Sequence, residues 1–262
     1  MLRRLTLFWG ETRRVAASMR NGYAVETRNL TKRFGHFTAL DSLNLKIETH
    51  AIHGLLGPNG AGKTTAIKLL CGLLKPTSGE AYVLGRKVPD RGLLPQIGYM
   101  PQETALYLDL TVHYNLSLYG ELYGMSRKRI AEREKELLQF IALEKWRDAP
   151  VANLSGGMKH RVSLACSMIH EPKLLFLDEP TVGVDPELRA SFWEYFNRLK
   201  VAGVTIVLTT HYMDEAQHCD KIGLVRRGKL IAEGTPGDIV KQTSTTNLED
   251  AFLALAGHQA EA

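Results

Sequence analysis

Residues 57–64 read Gly57-Pro58-Asn59-Gly60-Ala61-Gly62-Lys63-Thr64, which fits the pattern GxxxxGK[ST]. The apolar run Ile52–Leu56 precedes this octapeptide and predicts a buried strand, while the spacing of apolar residues over Ala61–Leu73 predicts a helix. In that context the glycines let backbone N–H groups turn toward a polyphosphate, and the helix N-terminus adds positive potential. We therefore predict a phosphate-binding loop rather than an ordinary glycine-rich turn.

The side chains at the end of this loop predict its chemistry. The Lys63 ammonium has the reach to contact β- and γ-phosphates, and the Thr64 hydroxyl is suited to ligate Mg²⁺. The predicted nucleotide-binding residues are Gly57, Pro58, Asn59, Gly60, Ala61, Gly62, Lys63, Thr64 and Thr65.

A second segment, Leu174–Glu179 (LLFLDE), predicts the remaining catalytic groups. Four apolar residues indicate a buried strand, and two carboxylates follow at its C-terminal end, where α/β sheets bind ligands. We expect Asp178 to hold Mg²⁺ through water and Glu179 to accept a proton from the attacking water. An apolar strand that ends in acids is common, so this prediction depends on the phosphate loop.

The rest of the pattern predicts an α/β fold. Further buried strands are expected at Val204–Leu208 and Ile222–Val225, with a helix from Pro186 to about Ala202 before the first of them. This alternation predicts a mainly parallel sheet flanked by helices on both faces. Val25–Leu30 and Leu43–Ile47 alternate apolar and polar residues, which predicts an antiparallel β subdomain.

Residues 112–148 contain no strand-like run and predict two helices, the aromatic-rich Tyr114–Tyr123 and the charged Arg127–Leu143. We interpret them as part of an inserted α-helical subdomain over about residues 105–165. Its tyrosines are compatible with packing within the subdomain itself; they are Tyr107, Tyr114, Tyr119 and Tyr123.

Composition excludes several classes of protein. With 44% hydrophobic and 23% charged residues, the 262-residue chain is neither disordered nor collagen-like, and its three cysteines do not make a disulfide scaffold. No apolar run approaches the roughly 18 residues of a membrane helix. The three widely separated cysteines predict buried thiols in a reducing cytosol.

The positive charge is concentrated in residues 1–22, which hold five arginines and one acid and so carry +4 of the formal +5. We predict a basic N-terminal extension there, either a disordered tail or an amphipathic helix on an anionic membrane. Residues 23–262 hold 28 basic and 27 acidic residues and are predicted to form one nucleotide-binding domain with a C-terminal segment over about 235–262. This near-neutral balance argues against nucleic acid as a partner.

Further motifs follow in a fixed order, and together they resemble the ATP-binding cassette (ABC) ATPases over about residues 23–255. The segment Leu154–Met158 (LSGGM) resembles the family's signature motif, and Val182–Asp185 resembles its D-loop. Matching single positions are Phe34 for the aromatic that stacks on adenine, Gln102 for the Q-loop glutamine and His211 for the switch histidine. The resemblance implies the ABC ATPase fold, with ATP and Mg²⁺ bound.

The resemblance also implies roles. The four tyrosines of the inserted subdomain would form a groove for a cytoplasmic helix of a membrane partner, as the alternative to packing within the subdomain. Gln102 and His211 would join Glu179 in catalysis, with Gln102 also among the Mg²⁺ ligands. Two copies would close head-to-tail, so that the signature of one contacts ATP held by the other; the residues assigned to this contact are Ser155, Gly156, Gly157 and Asp185.

Structural interpretations remain open beside these roles. Ser155 ahead of Val162–Met168 also predicts an ordinary Ser-capped helix, and Phe34 is compatible with core or turn packing. His211 ends a strand whereas His218 and Cys219 belong to a predicted helix, which argues against a zinc site. Met158 replaces the family's frequent glutamine and Phe34 its usual tyrosine, but no catalytic group is missing.

The sequence thus predicts the ATPase subunit of a transporter, at the cytoplasmic face of the membrane, bound to separate transmembrane subunits and to a second nucleotide-binding subunit in an ATP-dependent homodimer. The signature with Met158 and the tail segment Leu248–Phe252 resemble bacterial drug, antibiotic and polysaccharide exporters. The alternative is a soluble ABC ATPase such as an iron–sulfur assembly ATPase. A P-loop kinase or GTPase would leave residues 155–158 unexplained.

Overall fold

The computed structural model describes residues 22–258. Residues 1–21 of the predicted basic extension lie outside this range, as do residues 259–262 of the predicted C-terminal segment. The strands are β1 Tyr23–Phe34, β2 Phe37–Leu43, β3 Lys46–Glu48, β4 Ile52–Leu56, β5 Ser78–Val83, β6 Arg86–Lys87, β7 Ile97–Met100, β8 Leu174–Asp178, β9 Thr205–Thr210, β10 Lys221–Arg226 and β11 Lys229–Gly234. The helices are α1 Lys63–Leu70, α2 Val112–Leu122, α3 Arg127–Phe140, α4 Gly156–Met168, α5 Pro186–Val201, α6 Pro236–Thr243 and α7 Leu248–His258.

The central sheet has six strands in the order β11-β10-β4-β9-β8-β7, and its neighbouring pairs are parallel except β10–β11. Side chains alternate between two cores. Leu55, Phe176 and Val207 face the core that includes α1, whereas Leu56 and Leu208 face the core that includes α4 and α5. Both faces are therefore covered, which explains why β4 is apolar except at His53 and confirms the predicted parallel sheet.

The second sheet is antiparallel around β1, which pairs with β2, β3 and β5. The prediction of one strand over Leu43–Ile47 was wrong, because the regular pairing with β1 breaks at residues 44–45, between β2 and β3. Thr27 Oγ1 donates to the Leu43 carbonyl and accepts from the Leu45 N–H, both at 2.9 Å. The Asn44 side chain also accepts from the backbone N–H of Asn29. These side-chain bonds replace the ladder at this point.

The two inserted helices are confirmed, with ends that differ from the predicted ones by up to three residues. Thr111 and Ser126 cap α2 and α3 by accepting backbone N–H bonds. Helix α3 ends at Phe140 rather than Leu143, since Ala142 takes a left-handed conformation with φ of +53°. Likewise α1 ends at Leu70 rather than Leu73.

The segment after β9 also differs from the prediction. His218 ends a 3₁₀ turn over Met213–His218, and Cys219 follows it in extended conformation, so neither lies in an α-helix. Within residues 22–258, none of the helices has the combination of length and apolar character needed to cross a bilayer.

Candidate active site

The phosphate loop follows β4 and is pressed against the β10–β11 hairpin. Gly57 has a φ of +156°, and a Cβ there would lie 2.1 Å from the Val225 carbonyl oxygen. A Cβ on Gly62, at φ of +107°, would lie 2.5 Å from the carbonyl oxygen of Ala39. Only glycine fits these two positions, so the neighbouring strands fix the path of the loop.

Lys63 lies inside this loop. Its Nζ donates to the carbonyl oxygens of Gly57 at 2.6 Å and Pro58 at 3.1 Å. These bonds use two of the three ammonium N–H donors. Burial lowers the pKa of Lys63, while the carboxylates of Glu179 and Asp178 act in the opposite direction. The loop thus holds a desolvated cation beside its backbone, which is an arrangement suited to a polyphosphate.

Asp178 ends β8 within contact of the phosphate loop. Its Oδ1 accepts from Thr64 Oγ1 at 3.2 Å and from Thr209 Oγ1 at 2.5 Å. Its Oδ2 is buried and has no hydrogen-bond partner among the described residues. A carboxylate oxygen without a donor, next to a threonine hydroxyl, is the oxygen-rich donor set that Mg²⁺ prefers. The residues present at this point fit that ion.

Glu179 is held from several sides at the end of β8. Its carboxylate accepts from Gln102 Nε2 at 3.2 Å and lies 3.2 Å from His211 Nδ1. Its backbone N–H donates to the Thr209 hydroxyl at 3.0 Å. The residue has a φ of +55°, a strained conformation for a non-glycine residue that persists where surrounding contacts determine it. Gln102 therefore contacts Glu179, and its Nε2 is the atom engaged.

The predicted signature and D-loop residues lie at two helix N-termini. Ser155 Oγ accepts from the Met158 N–H and caps α4, while Asp185 Oδ1 accepts from the Leu188 N–H and caps α5. A Cβ on Gly157 would lie 2.9 Å from the Gly183 carbonyl oxygen, whereas a Cβ on Gly156 would meet open space. The Ser-capped helix is confirmed, and the first turn of α4 abuts the D-loop.

Phe34 lies at the tip of the β1–β2 hairpin, opposite Phe37. The two residues are 48% and 63% exposed, and Lys32 Nζ lies 4.9 Å from the Phe34 ring centroid. The interpretation of Phe34 as a core residue is therefore wrong. An exposed ring here is available to stack on a planar ligand.

Thr209 is a site residue that the sequence interpretation missed, although it belongs to the segment Thr209–His211. It contacts both acids because β8 and β9 pair in parallel with Asp178 opposite Thr209. Strand register was the missing information, since 31 residues separate the pair along the chain.

The strand order β4-β9-β8 gathers these groups at one edge of the sheet. The phosphate loop follows β4, Thr209 and His211 come from β9 and its end, and the two acids come from β8 and its end. A glycine loop with a buried lysine, followed across the sheet by an aspartate and a glutamate, defines a P-loop nucleoside triphosphatase.

Comparison with known proteins gives the family. Residues 40–182 match the family described as ABC transporter. The chain is 42% identical over 221 residues to the Nod factor export ATP-binding protein I of Cupriavidus metallidurans, covering 82% of this chain and 72% of that protein. The chain belongs to the ABC transporter ATP-binding family, which hydrolyses ATP.

Two further comparisons show how much of a longer relative this chain covers and how similar its fold is to a solved ATP-binding cassette. The chain is 45% identical over 238 residues to the "Probable multidrug ABC transporter ATP-binding protein YbhF" of Escherichia coli K12, covering 88% of this chain but only 41% of that relative. A solved dimeric ATP-binding cassette in a post-hydrolysis state, bound to ADP and Pi, superposes with a TM-score of 0.75 and 28% identity, covering 80% of this chain and 98% of the other.

Proposed function

We propose that this chain is the ATP-hydrolysing subunit of an exporter and that two copies close around two ATP molecules. The observation that carries the proposal is the position of Glu179. Its carboxylate is fixed between Gln102 and His211 while its neighbour Asp178 contacts the phosphate loop. A carboxylate held in this way is placed to take a proton from a water that attacks the terminal phosphate.

The other loop residues bind and orient the nucleotide. Lys63 and the backbone N–H groups of residues 57–65 other than Pro58 hold the phosphates, His211 donates to a γ-phosphate oxygen, and Phe34 stacks on adenine. Thr64, Asp178 and the Gln102 side-chain oxygen would hold Mg²⁺, which supplies charge neutralisation of the phosphates when bound. The partnerless Oδ2 of Asp178 supports this assignment.

The second copy would supply the opposite wall of each nucleotide site. The N-terminal turn of α4 borders open space at Gly156 and presents backbone N–H groups suited to an anion. Ser155, Gly156, Gly157 and Asp185 would thus contact ATP held by the other copy. Similarity to a cassette solved as a dimer with ADP and Pi supports this arrangement.

The membrane partner would dock on a groove beside the inserted helices. This groove has a volume of about 300 Å³, and its lining includes Tyr119, Tyr123 and His170. Of the four tyrosines predicted to form it, only these two line it; Tyr107 and Tyr114 are exposed outside it. The largely apolar lining suits an amphipathic helix of a transmembrane subunit at the cytoplasmic face of the membrane.

We favour a subunit of an exporter over the alternative of an iron–sulfur assembly ATPase, because a curated relative covered over 72% of its length is named for Nod factor export. Detergent co-purification with a polytopic membrane protein tests this part of the proposal. Recovery with iron–sulfur assembly proteins instead would contradict it.

The dimer is tested with Glu179→Gln in ATP and Mg²⁺. Removing the general base while keeping the binding residues should trap a dimer that elutes earlier in gel filtration than the nucleotide-free protein. Lys63→Ala in the same background is the matched control and should stay monomeric. A Glu179→Gln protein that binds ATP yet remains monomeric would contradict the head-to-tail dimer.

A further inference from the structure

His160 is a buried imidazole to which the catalytic scheme above gives no role. It lies in the second turn of α4, and its Nε2 is 2.9 Å from the backbone carbonyl oxygen of Glu179. A carbonyl oxygen accepts, so Nε2 carries the proton and donates. Burial lowers the pKa of His160, and the neutral ring with its proton on Nε2 makes this donation.

The carbonyl that His160 contacts belongs to a residue in an uncommon conformation. Glu179 has a φ of +55°, and its carbonyl oxygen also accepts from the Val182 N–H at 3.3 Å. The N–H of Glu179 is held from β9 by Thr209, so the two ends of its backbone are held by different elements. Since the side-chain direction follows from φ and ψ, a shift of the carbonyl would turn the carboxylate away from its position.

Helix α4 makes a second close contact nearby. Gly157 packs against the Gly183 carbonyl, so tightly that a Cβ would come within 2.9 Å of the oxygen. Gly157 and His160 lie three positions apart and therefore on the same side of the helix. The N-terminal part of α4 thus borders open space at Gly156 and contacts both the D-loop, through Gly157, and Glu179, through His160.

We propose that His160 is a positioning residue for Glu179 and ties the general base to the N-terminal turn of α4. This inference rests on the proposed function. In the dimer, the N-terminal turn of α4 in one copy contacts the nucleotide held by the other copy. When the dimer closes on that nucleotide, His160 would transmit the shift of α4 to Glu179 of its own copy, which acts on the second nucleotide.

The test compares two substitutions that differ in the ability to donate. His160→Leu removes the N–H donor, whereas His160→Gln keeps an amide donor on a side chain of similar reach. We expect His160→Leu to lower kcat about tenfold or more while KM for ATP stays within about twofold, and His160→Gln to restore most of kcat. His53→Leu, another buried histidine replaced by leucine but outside the site, should leave kcat unchanged.

Dimer formation separates this inference from the proposed function. His160→Leu placed in the Glu179→Gln background should still form the ATP-dependent dimer, because binding residues are intact. Equal kcat values for His160→Leu and wild type, or equal losses in His160→Leu and His160→Gln, would overturn the positioning role while leaving the proposed function standing. If thermal unfolding shows His160→Leu to be unfolded, His160→Met takes its place, with the same expected and contrary results.

Discussion

The hydroxyl of Thr209 donates a 2.5 Å hydrogen bond to Oδ1 of Asp178. The Thr209 hydroxyl oxygen also accepts from the backbone N–H of Glu179 at 3.0 Å, so one buried side chain contacts both acids. Strand β9 therefore determines where the two carboxylates of β8 lie, although the phosphate loop follows β4. Thr209 thus links the proposed metal ligand, Asp178, to the proposed base, Glu179, through hydrogen bonds to both residues.

Thr209→Val should therefore impair catalysis more than it impairs folding. Valine fills the same volume but leaves Asp178 without its shortest bond and the Glu179 N–H with a weaker partner. Loss of a hydrogen bond to a charged group costs about 1.5–3 kcal/mol, so we expect kcat to fall by about 10- to 100-fold. Steady-state ATPase assays measure this, and Thr209→Ser should recover most of the activity.

Thr205→Val is the matched control for that substitution. Thr205 is buried at the other end of β9, and its hydroxyl accepts from the His50 N–H at 2.9 Å. Loss of the Thr205 hydroxyl should lower the free energy of unfolding about as much as Thr209→Val does, and it should leave kcat unchanged. Equal kcat values for the two valine variants would show that Thr209 acts only through stability.

Lys63→Ala should abolish nucleotide-dependent behaviour without unfolding the chain. The variant removes the buried ammonium that contacts two loop carbonyls, so ATP phosphates lose their nearest cation. We expect kcat/KM to fall by about 100-fold or more, by analogy with the removal of a single preorganised donor. Turnover equal to that of the wild type would overturn the placement of the active site, and circular dichroism checks that the fold is retained.

Sequence reasoning succeeded where the signal is local. Ile52–Leu56 forms β4 with the predicted limits, because a strand buried on both faces is mostly apolar, here with His53 as its one polar side chain. Residues 57–62 form the predicted loop and Lys63 begins α1, because Gly57 and Gly62 allow the backbone to pass close to the neighbouring strands. Strands β5, β6 and β11 carry no such run, and the sequence interpretation missed them, together with the four-residue β7.

Contacts that depend on strand register or on helix packing could not be predicted from local sequence patterns. Thr209 meets Asp178 through β-pairing across 31 residues, and His160 meets Glu179 because α4 packs behind β8. Helix ends were misjudged where a residue takes a left-handed conformation, as at Ala142. Linear motifs therefore named the groups that would touch the nucleotide but not the groups that hold them in place.

Asp178→Asn should weaken the response to Mg²⁺ more than it weakens binding of free ATP. The aspartate offers a buried Oδ2 without a hydrogen-bond partner, and Thr64 lies 3.2 Å from its Oδ1. Replacing one carboxylate oxygen by an amide removes the negative charge that a hard cation needs. Titration of ATP binding with and without Mg²⁺ measures the difference, and a wild-type dependence on Mg²⁺ in the variant would remove Asp178 from the metal site.

Burial of His53 should make the folded protein less stable in acid. This histidine is 1% exposed on β4, and its Nε2 has no hydrogen-bond partner among the described residues. Burial, with Lys221 nearby, lowers its pKa from the ordinary 6.5 to about 4. Burial also lowers the pKa of His160 and His170.

A histidine whose pKa is depressed in the folded state binds its proton more readily when the chain is unfolded. The stabilisation is therefore complete above about pH 6.5 and is lost as the pH falls from 6.5 toward 4, by about 3 kcal/mol for His53 alone. His53→Leu should flatten this part of the curve, because leucine binds no proton in either state. Denaturant unfolding at pH 7.5 and pH 5 measures the slope, and parallel losses in wild type and variant would show that His53 does not carry it.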